Sequence, residues 1–232
     1  MLTVASTDRL FILTGAGVSA ESGIPTFRGV EGLWRNFRIE EVASPESWYR
    51  DPRLVWEFCS MRRRVASEAK PNPAHLALAE LEKALQEHLF VCTQNVDNLH
   101  EQAGSRSVVH MHGELFKIRC DTCARPPFDD TKLYDPAAEV PECGGWIRPH
   151  ICWFGEVPFE LDRIYRGLDQ CTLFMAIGSS GVVEPAASFV AQASGRARTI
   201  YVGPEIPANA SSFTECDLGK AGKVLPDLLR GW

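Results

Sequence analysis

Residues 14–29 bring glycines, a proline, an aromatic ring and a cation into one segment directly after the apolar run 10–13. A glycine turn leaving a strand can present backbone N–H groups to a phosphate. Gly15 and Gly17 alone fit a tight strand-to-helix turn equally well, because the segment lacks a P-loop lysine and Ala20 stands where a third glycine would complete G-x-G-x-x-G. Its second half adds Pro25, Phe27 and Arg28: a rigid turn, an aromatic face and a fixed positive charge. That combination suits a segment that holds a dinucleotide and acts on it.

Two further groups could do chemistry beside it. Gln94-Asn95-Val96-Asp97-Asn98 sets three amides and a carboxylate in five residues after a second apolar run. Such a loop is commonly only a turn, but a crevice shared with the glycine segment favours a ligand. His112 stands before Gly113 at the end of a third run and is a candidate general base, since imidazole titrates near working pH. His110 shares its face if the strand is regular, whereas His75, His88 and His100 read as structural or surface residues. Cys120, Cys123 and Cys143 lie among prolines, glycines and aspartates in a stretch that reads as a small metal ribbon. Cys59, Cys92, Cys152, Cys171 and Cys216 occur singly and read mostly as small buried hydrophobes.

These residues need a scaffold that gathers their loops. Five apolar runs, 10–13, 89–93, 108–111, 172–177 and 199–202, each end in a polar or glycine-bearing tip. In an open parallel sheet, ligands bind beyond the carboxyl ends of the strands, so the five tips define one site. Helical periodicity runs over 74–89. A second helix starts after Ser44-Pro45 and is interrupted by Asp51-Pro52 before 54–69, and a last helix closes the chain at 221–229. Alternating strands and helices predict a doubly wound, Rossmann-like α/β domain built from 1–28, 74–116 and 152–232. Residues 29–73, without a strand, form a loop and a small helical module, and 117–151 form the ribbon. No internal repeat or low-complexity segment is present.

The 232 residues, 45% of them apolar, suffice for one substantial core. A net charge of −6 argues against nucleic acid as the main partner, and the run Arg62-Arg63-Arg64 is short and helical. No apolar run approaches the ~20 residues of a membrane span. The short segment before the first run leaves no room for a leader, so a cytoplasmic protein is expected, with its eight cysteines as thiols or metal ligands.

Taken in order, the glycine segment, Gln94-Asn95-Val96-Asp97, His112-Gly113-Glu114-Leu115, residues 148–156, Gly178-Ser179-Ser180 and Val183-Glu184-Pro185-Ala186 make the chain resemble the sirtuins, the NAD-dependent protein lysine deacylases, most of all their compact bacterial members. The resemblance covers nearly the whole chain. It implies that Gly15, Ala16, Gly17 and Ser180 hold the NAD pyrophosphate with Arg28, that Gln94 and Asn95 face the nicotinamide ribose, and that Asp97 binds the carboxamide. Ser19, Ala20, Glu21, Pro25, Thr26, Phe27, Trp34, Val96, Gly178, Ser179, Gly203, Pro204, Glu205 and Ala221 would complete that site. It further implies that the acyl oxygen of an acyl-lysine attacks the ribose as nicotinamide leaves, with Asn95 and His112 catalytic. His112 would take a ribose hydroxyl proton, Phe27 would shield the ribose, and free lysine and acyl-ADP-ribose would be released. The peptide would add as a strand between Gly155-Glu156-Val157 and the loop holding Val182, with Trp153, Phe154 and Phe27 walling an acyl-lysine tunnel.

The chain departs from the family at three places. Desuccinylating members carry Tyr-x-x-Arg on the small-domain helix; here the pair is Cys59 and Arg62. Arg62 still offers a fork to a carboxylate, but the missing phenol removes a charged hydrogen bond worth about 1.5–3 kcal/mol, which weakens a preference for succinyl-lysine. The family's structural zinc uses two Cys-x-x-Cys pairs, and Val140 replaces one of the four. Either Asp121, Glu142 or water fills the fourth place, or zinc is gone and the ribbon holds by packing. Gly203 replaces an asparagine that meets the adenine ribose. Protein mono-ADP-ribosyl transfer, an idle NAD-sensing module and a zinc-ribbon nucleic-acid binder are the competing functions. Intact His112 and Asn95 oppose the first two, and the acidic charge opposes the third. The sequence leaves the oligomeric state open.

Overall fold

The structure, a computed structural model, describes residues 7–26, 33–34, 37–133, 139–140 and 143–230. Its centre is a six-stranded parallel sheet of β1 (Leu10–Thr14), β2 (Leu89–Thr93), β3 (Val108–His110), β6 (Leu173–Ile177), β7 (Arg198–Gly203) and β8 (Glu215–Leu218). Their order is β8-β7-β6-β1-β2-β3. Chain order reverses around β1, whose Thr14 stands beside Ile177 of β6 on one side and Thr93 of β2 on the other. That reversal opens a crevice at the carboxyl ends of the strands, where α/β sheets take ligands. The doubly wound α/β fold expected from the sequence is therefore present.

Strands β1 and β6 are buried along their whole length, as their unbroken apolar runs require. On one face, α4 (Pro73–Leu85) and α8 (Ala221–Leu228) cover Leu10, Ile12, Val91, Met175 and Ile200. On the other, α6 (Leu161–Gln170) and α7 (Phe189–Ala193) cover Phe11, Leu13, Phe174 and Tyr201. The helix expected over 74–89 stops at Leu85, where Gln86 takes a positive φ of 49° and a single 3-10 turn leads into β2. Strand β8 has no apolar run to announce it, because it is a largely exposed edge strand.

The segments before α4 and after β3 pack together. Ser44 caps α2 (Pro45–Arg50) by accepting from the Ser47 N–H, and Asp51 caps α3 (Pro52–Glu68) by accepting from the Leu54 N–H, with proline at each first turn. The ribbon is built on antiparallel β4 (Gly113–Cys120) and β5 (Gly145–Ile151). One core joins the two modules: Trp48, Val55, Trp56, Phe58 and Cys59 meet Leu115, Ile118, Ile151 and Trp153. Arg63, second in the basic run, is only 1% exposed. It donates to the Leu115 and Lys132 carbonyls and to the Asp130 carboxylate, bolting helix to ribbon. No described helix is long and apolar enough to cross a membrane.

Candidate active site

The glycines bring strand tips into backbone contact. A Cβ on Gly17 would stand 2.7 Å from Gly178 Cα, one on Gly15 would stand 2.9 Å from Gly178 O, and one on Gly178, at φ +62°, would stand 2.4 Å from Val18 N. The Gly15 N–H donates to Ile177 O and the Gly17 N–H to Gly178 O, each at 2.9 Å. These two N–H groups are thus spent on the next tip, which corrects the expectation that they are open to a phosphate. The glycines instead let the tips of β1 and β6 meet and form one floor. Ser179 joins that floor through Gln94, whose Nε2 donates to Ser179 Oγ at 3.0 Å. Ser180 is anchored by its carbonyl, which accepts from Ala208 N.

α1 (Ala16–Ala20) and the loop after β2 are knitted together by buried side chains. Asn95 is 7% exposed; its Nδ2 donates to Gly15 O and Ser19 Oγ, and its N–H donates to Thr93 Oγ1. The Ser19 hydroxyl and the Leu99 N–H both donate to Asp97. Burial raises the Asp97 pKa, opposed by these donors and by the nearby His110 and Arg62 charges. Val96 turns into the core of the two modules.

His112 lies in the turn between β3 and β4, just beyond the strand end where the sequence places it. Its Nδ1 is 3.0 Å from the Gln94 carbonyl, which can only accept, so Nδ1 carries the proton and Nε2 keeps its lone pair. Burial lowers its pKa, with the Gln94 bond opposing. The result is a neutral imidazole with a fixed tautomer, which is what a general base needs.

The proposed substrate residues divide into buried and exposed sets. Cys59 is 1% exposed and its thiol is pushed up to about 11 by burial, so it belongs to the core wall. Arg62, one turn on, is half-buried with its guanidinium 5.6 Å from the Phe58 ring centre. Trp153 is buried, whereas Phe154, Val157 and Val182 are exposed. The Glu156 carboxylate accepts from both terminal nitrogens of Arg148 and from the Trp153 N–H, and the Glu156 N–H donates back to the Trp153 carbonyl, which closes a tight turn. Gly155 takes φ +89° in the same turn.

Farther along the crevice, Glu21 accepts from the Gly222 N–H in the first turn of α8, next to buried Ala221. Gly203 is buried while Pro204 and Glu205 are exposed. A Cβ on Gly203 would stand 2.2 Å from the Tyr201 hydroxyl oxygen, so that phenol fills the space a longer side chain would claim. Ala16, Pro25 and Thr26 are half-buried and Ala20 is exposed. Phe27, Arg28 and the Trp34 side chain lie outside the described residues.

In the ribbon, the sulfurs of Cys120, Cys123 and Cys143 lie within 4.8 Å of one another. The N–H groups of Thr122 and Cys123 point at the Cys120 sulfur, and they outweigh burial to bring that thiol down to about 7. Three converging thiols with N–H donors suit zinc. Asp121 does not join them: its carboxylate accepts from Trp146 N, Thr122 Oγ1 and Trp48 Nε1. That removes one expected fourth ligand, and Val140 and Glu142 lie outside the described side chains.

The Sir2 family model matches residues 15–185, the span that carries the glycine floor, the 94–98 loop and His112. The chain belongs to the Sir2 family. It is 46% identical to an NAD-dependent protein deacylase of Pasteurella multocida, over 95% of this chain and 96% of that one. It is 49% identical to another of Vibrio cholerae, over 94% and 90%. Among solved structures, a Sir2 homologue in complex with NAD superposes with a TM-score of 0.89 at 40% identity, covering 97% of this chain and 90% of that one. A Sir2 protein bound to acetylated peptide superposes at 0.81 and 28% identity, covering 95% and 92%.

Several residues outside the expected site hold this Sir2-family site in shape, among them His75 and His100, which the sequence marks as structural or surface residues and which are both buried. Thr14, Thr93 and His100 form a buried chain, with Thr14 Oγ1 2.8 Å from Thr93 Oγ1 and 3.0 Å from His100 Nε2. Hydroxyls at the last positions of two adjacent apolar strands were the available signal. His75 is fully buried and completes a capping box with Asn72 at the start of α4.

Proposed function

We infer that this Sir2-family chain removes acyl groups from protein lysine side chains with NAD as a consumed co-substrate. The observation that carries this reading is His112: a buried imidazole with its tautomer fixed and a free Nε2, on the loop system that also bears Asn95, Asp97 and the glycine floor. NAD, when bound, supplies a ribose whose bond to nicotinamide can be exchanged for a bond to the acyl oxygen, giving O-acyl-ADP-ribose. Asp97 is assigned to the carboxamide, with Asn95 and Gln94 at the ribose. His112 Nε2 receives the proton of a ribose hydroxyl. Phe27 and Arg28 are assigned to the ribose face and the pyrophosphate. Phe154, Val157 and Val182, the exposed apolar residues of the neighbouring loops, are assigned to an acyl-lysine peptide. Zinc, where present, would be held by Cys120, Cys123 and Cys143 and would fix the ribbon.

Acyl-lysine proteins are the partners this site takes. The net charge of −6 speaks against nucleic acid, and eight free thiols fit the cytoplasm. The test is nicotinamide release with NAD and a panel of acetyl, succinyl and longer acyl-lysine peptides. Release that requires an acyl peptide supports deacylation, release without one points to hydrolysis or ADP-ribosyl transfer, and no release under any condition refutes the reading. His112 must be neutral to act, and its pKa is depressed, so activity should persist below the ordinary histidine range and fall only as pH drops through that lowered value.

A further inference from the structure

We propose that His110 is a positioning residue for the NAD site: a buried imidazolium, clamped between the Asn95 carbonyl and the Glu101 carboxylate, that holds the 94–98 loop in its binding shape. The inference rests on the assignment of that loop to NAD. His110 Nδ1 lies 3.0 Å from Asn95 O, and Nε2 lies 2.9 Å from Glu101 Oε1. A carbonyl and a carboxylate only accept, so both ring nitrogens must donate and the ring must carry a charge. His112, two residues on, has one such acceptor and stays neutral. Histidines at the end of one strand thus grip consecutive carbonyls of the loop, Gln94 with a neutral ring and Asn95 with a cation.

The surroundings favour that charge. The His110 side chain is 7% exposed, and its partner Glu101 comes from α5 (Leu99–Ala103) at 41% exposure. Burial works against the imidazolium, but the Glu101 hydrogen bond and charge, helped by the Asn95 carbonyl and by Glu114 of β4, raise its pKa overall. Asp97, on the same loop, has its pKa raised by burial, and the His110 and Arg62 charges work against that rise. His100, on the same helix as Glu101, is held neutral by burial. The grip on Asn95 O completes a three-point hold on this residue, with the Thr93 hydroxyl at its N–H and Gly15 O and Ser19 at its amide. Charged hydrogen bonds are roughly twice as strong as neutral ones, so discharging His110 beside Glu101 weakens the hold and leaves one ring nitrogen without a proton to donate to its acceptor.

Glu101→Gln separates charge from geometry, because the amide still reaches Nε2 and the residue is partly exposed. In the wild type, the Michaelis constant for NAD should begin to rise at a higher pH than in Glu101→Gln, because Glu101 raises the His110 pKa. In Glu101→Gln, His110 loses its raised pKa, so its charged grip is intact at the acid end and weakens to a neutral hydrogen bond as pH rises. The constant should then climb about fivefold at the alkaline end while kcat changes little. Imidazole nitrogen NMR of the wild type near neutral pH should show both His110 nitrogens protonated. A neutral His110, or a Glu101→Gln profile that tracks the wild type, overturns the proposal. Asp97→Asn distinguishes the underlying reading: if it binds NAD as the wild type does, the loop assignment fails. If it binds poorly while Glu101→Gln is unaffected, His110 alone is refuted.

Discussion

On the proposed reading Arg62 would receive an acidic acyl group, and substitution separates that role from its electrostatic one. The guanidinium stands one turn from buried Cys59, beside Phe58, and within electrostatic reach of Asp97, where its charge works against the rise in pKa that burial causes. A succinyl carboxylate would gain a charged hydrogen bond there, worth about 1.5–3 kcal/mol. An acetyl group would gain none. At 1.36 kcal/mol per tenfold, Arg62→Met should therefore lower the ratio of succinyl to acetyl kcat/KM by about 10- to 150-fold. Part of the acetyl activity should fall too, because Asp97 loses a supporting charge. Arg62→Lys controls for that loss, since an ammonium keeps the charge without the planar fork. It should retain acetyl activity and still lose part of the succinyl activity. The assay is nicotinamide release at saturating NAD with matched acetyl and succinyl peptides. Equal losses on both peptides in Arg62→Met, restored equally by Arg62→Lys, would show that Arg62 acts only through Asp97.

The glycine floor and the ribbon can be probed in the same way. Gly178→Ala places a Cβ 2.4 Å from Val18 N at φ +62°. It should lower Tm by roughly 3–8 °C from a cost of about 1–3 kcal/mol and raise the NAD Michaelis constant, whereas Gly195→Ala, with nothing within 4 Å, should do neither. An unchanged Tm in Gly178→Ala would mean the β1 and β6 tips are not in contact. Metal analysis of purified protein should find about one zinc per chain, lost in Cys120→Ser together with thermal stability. Metal-free wild type with full stability would assign the three thiols to packing alone.

The helix and strand alternation, the two prolines at helix starts and the glycine tip are local signals, and each appears in the fold at or near its expected place. The residues assigned to chemistry stand out equally in the sequence, because Asn95, Asp97 and His112 are polar groups placed where apolar strands end. Other features carried no local signature. Arg63 looks in sequence like its neighbours in a basic run, and only the packing of α3 on the ribbon shows that it is buried and paired with Asp130. Edge strand β8 is invisible to hydrophobic periodicity because three of its four residues are exposed, so neither face carries an apolar row.

By itself the sequence determined the doubly wound scaffold, the crevice that holds the site and the residue types available for chemistry, since these follow from periodicity and from the spacing of polar tips. The tertiary structure decided what those residues are able to do. It spent the Gly15 and Gly17 N–H groups on strand contacts, turned Asp121 away from the cysteines, and set two acceptors against the His110 ring but one against His112. Hydrogen-bond partners and burial set donor direction and protonation, and both come from segments far apart in the chain.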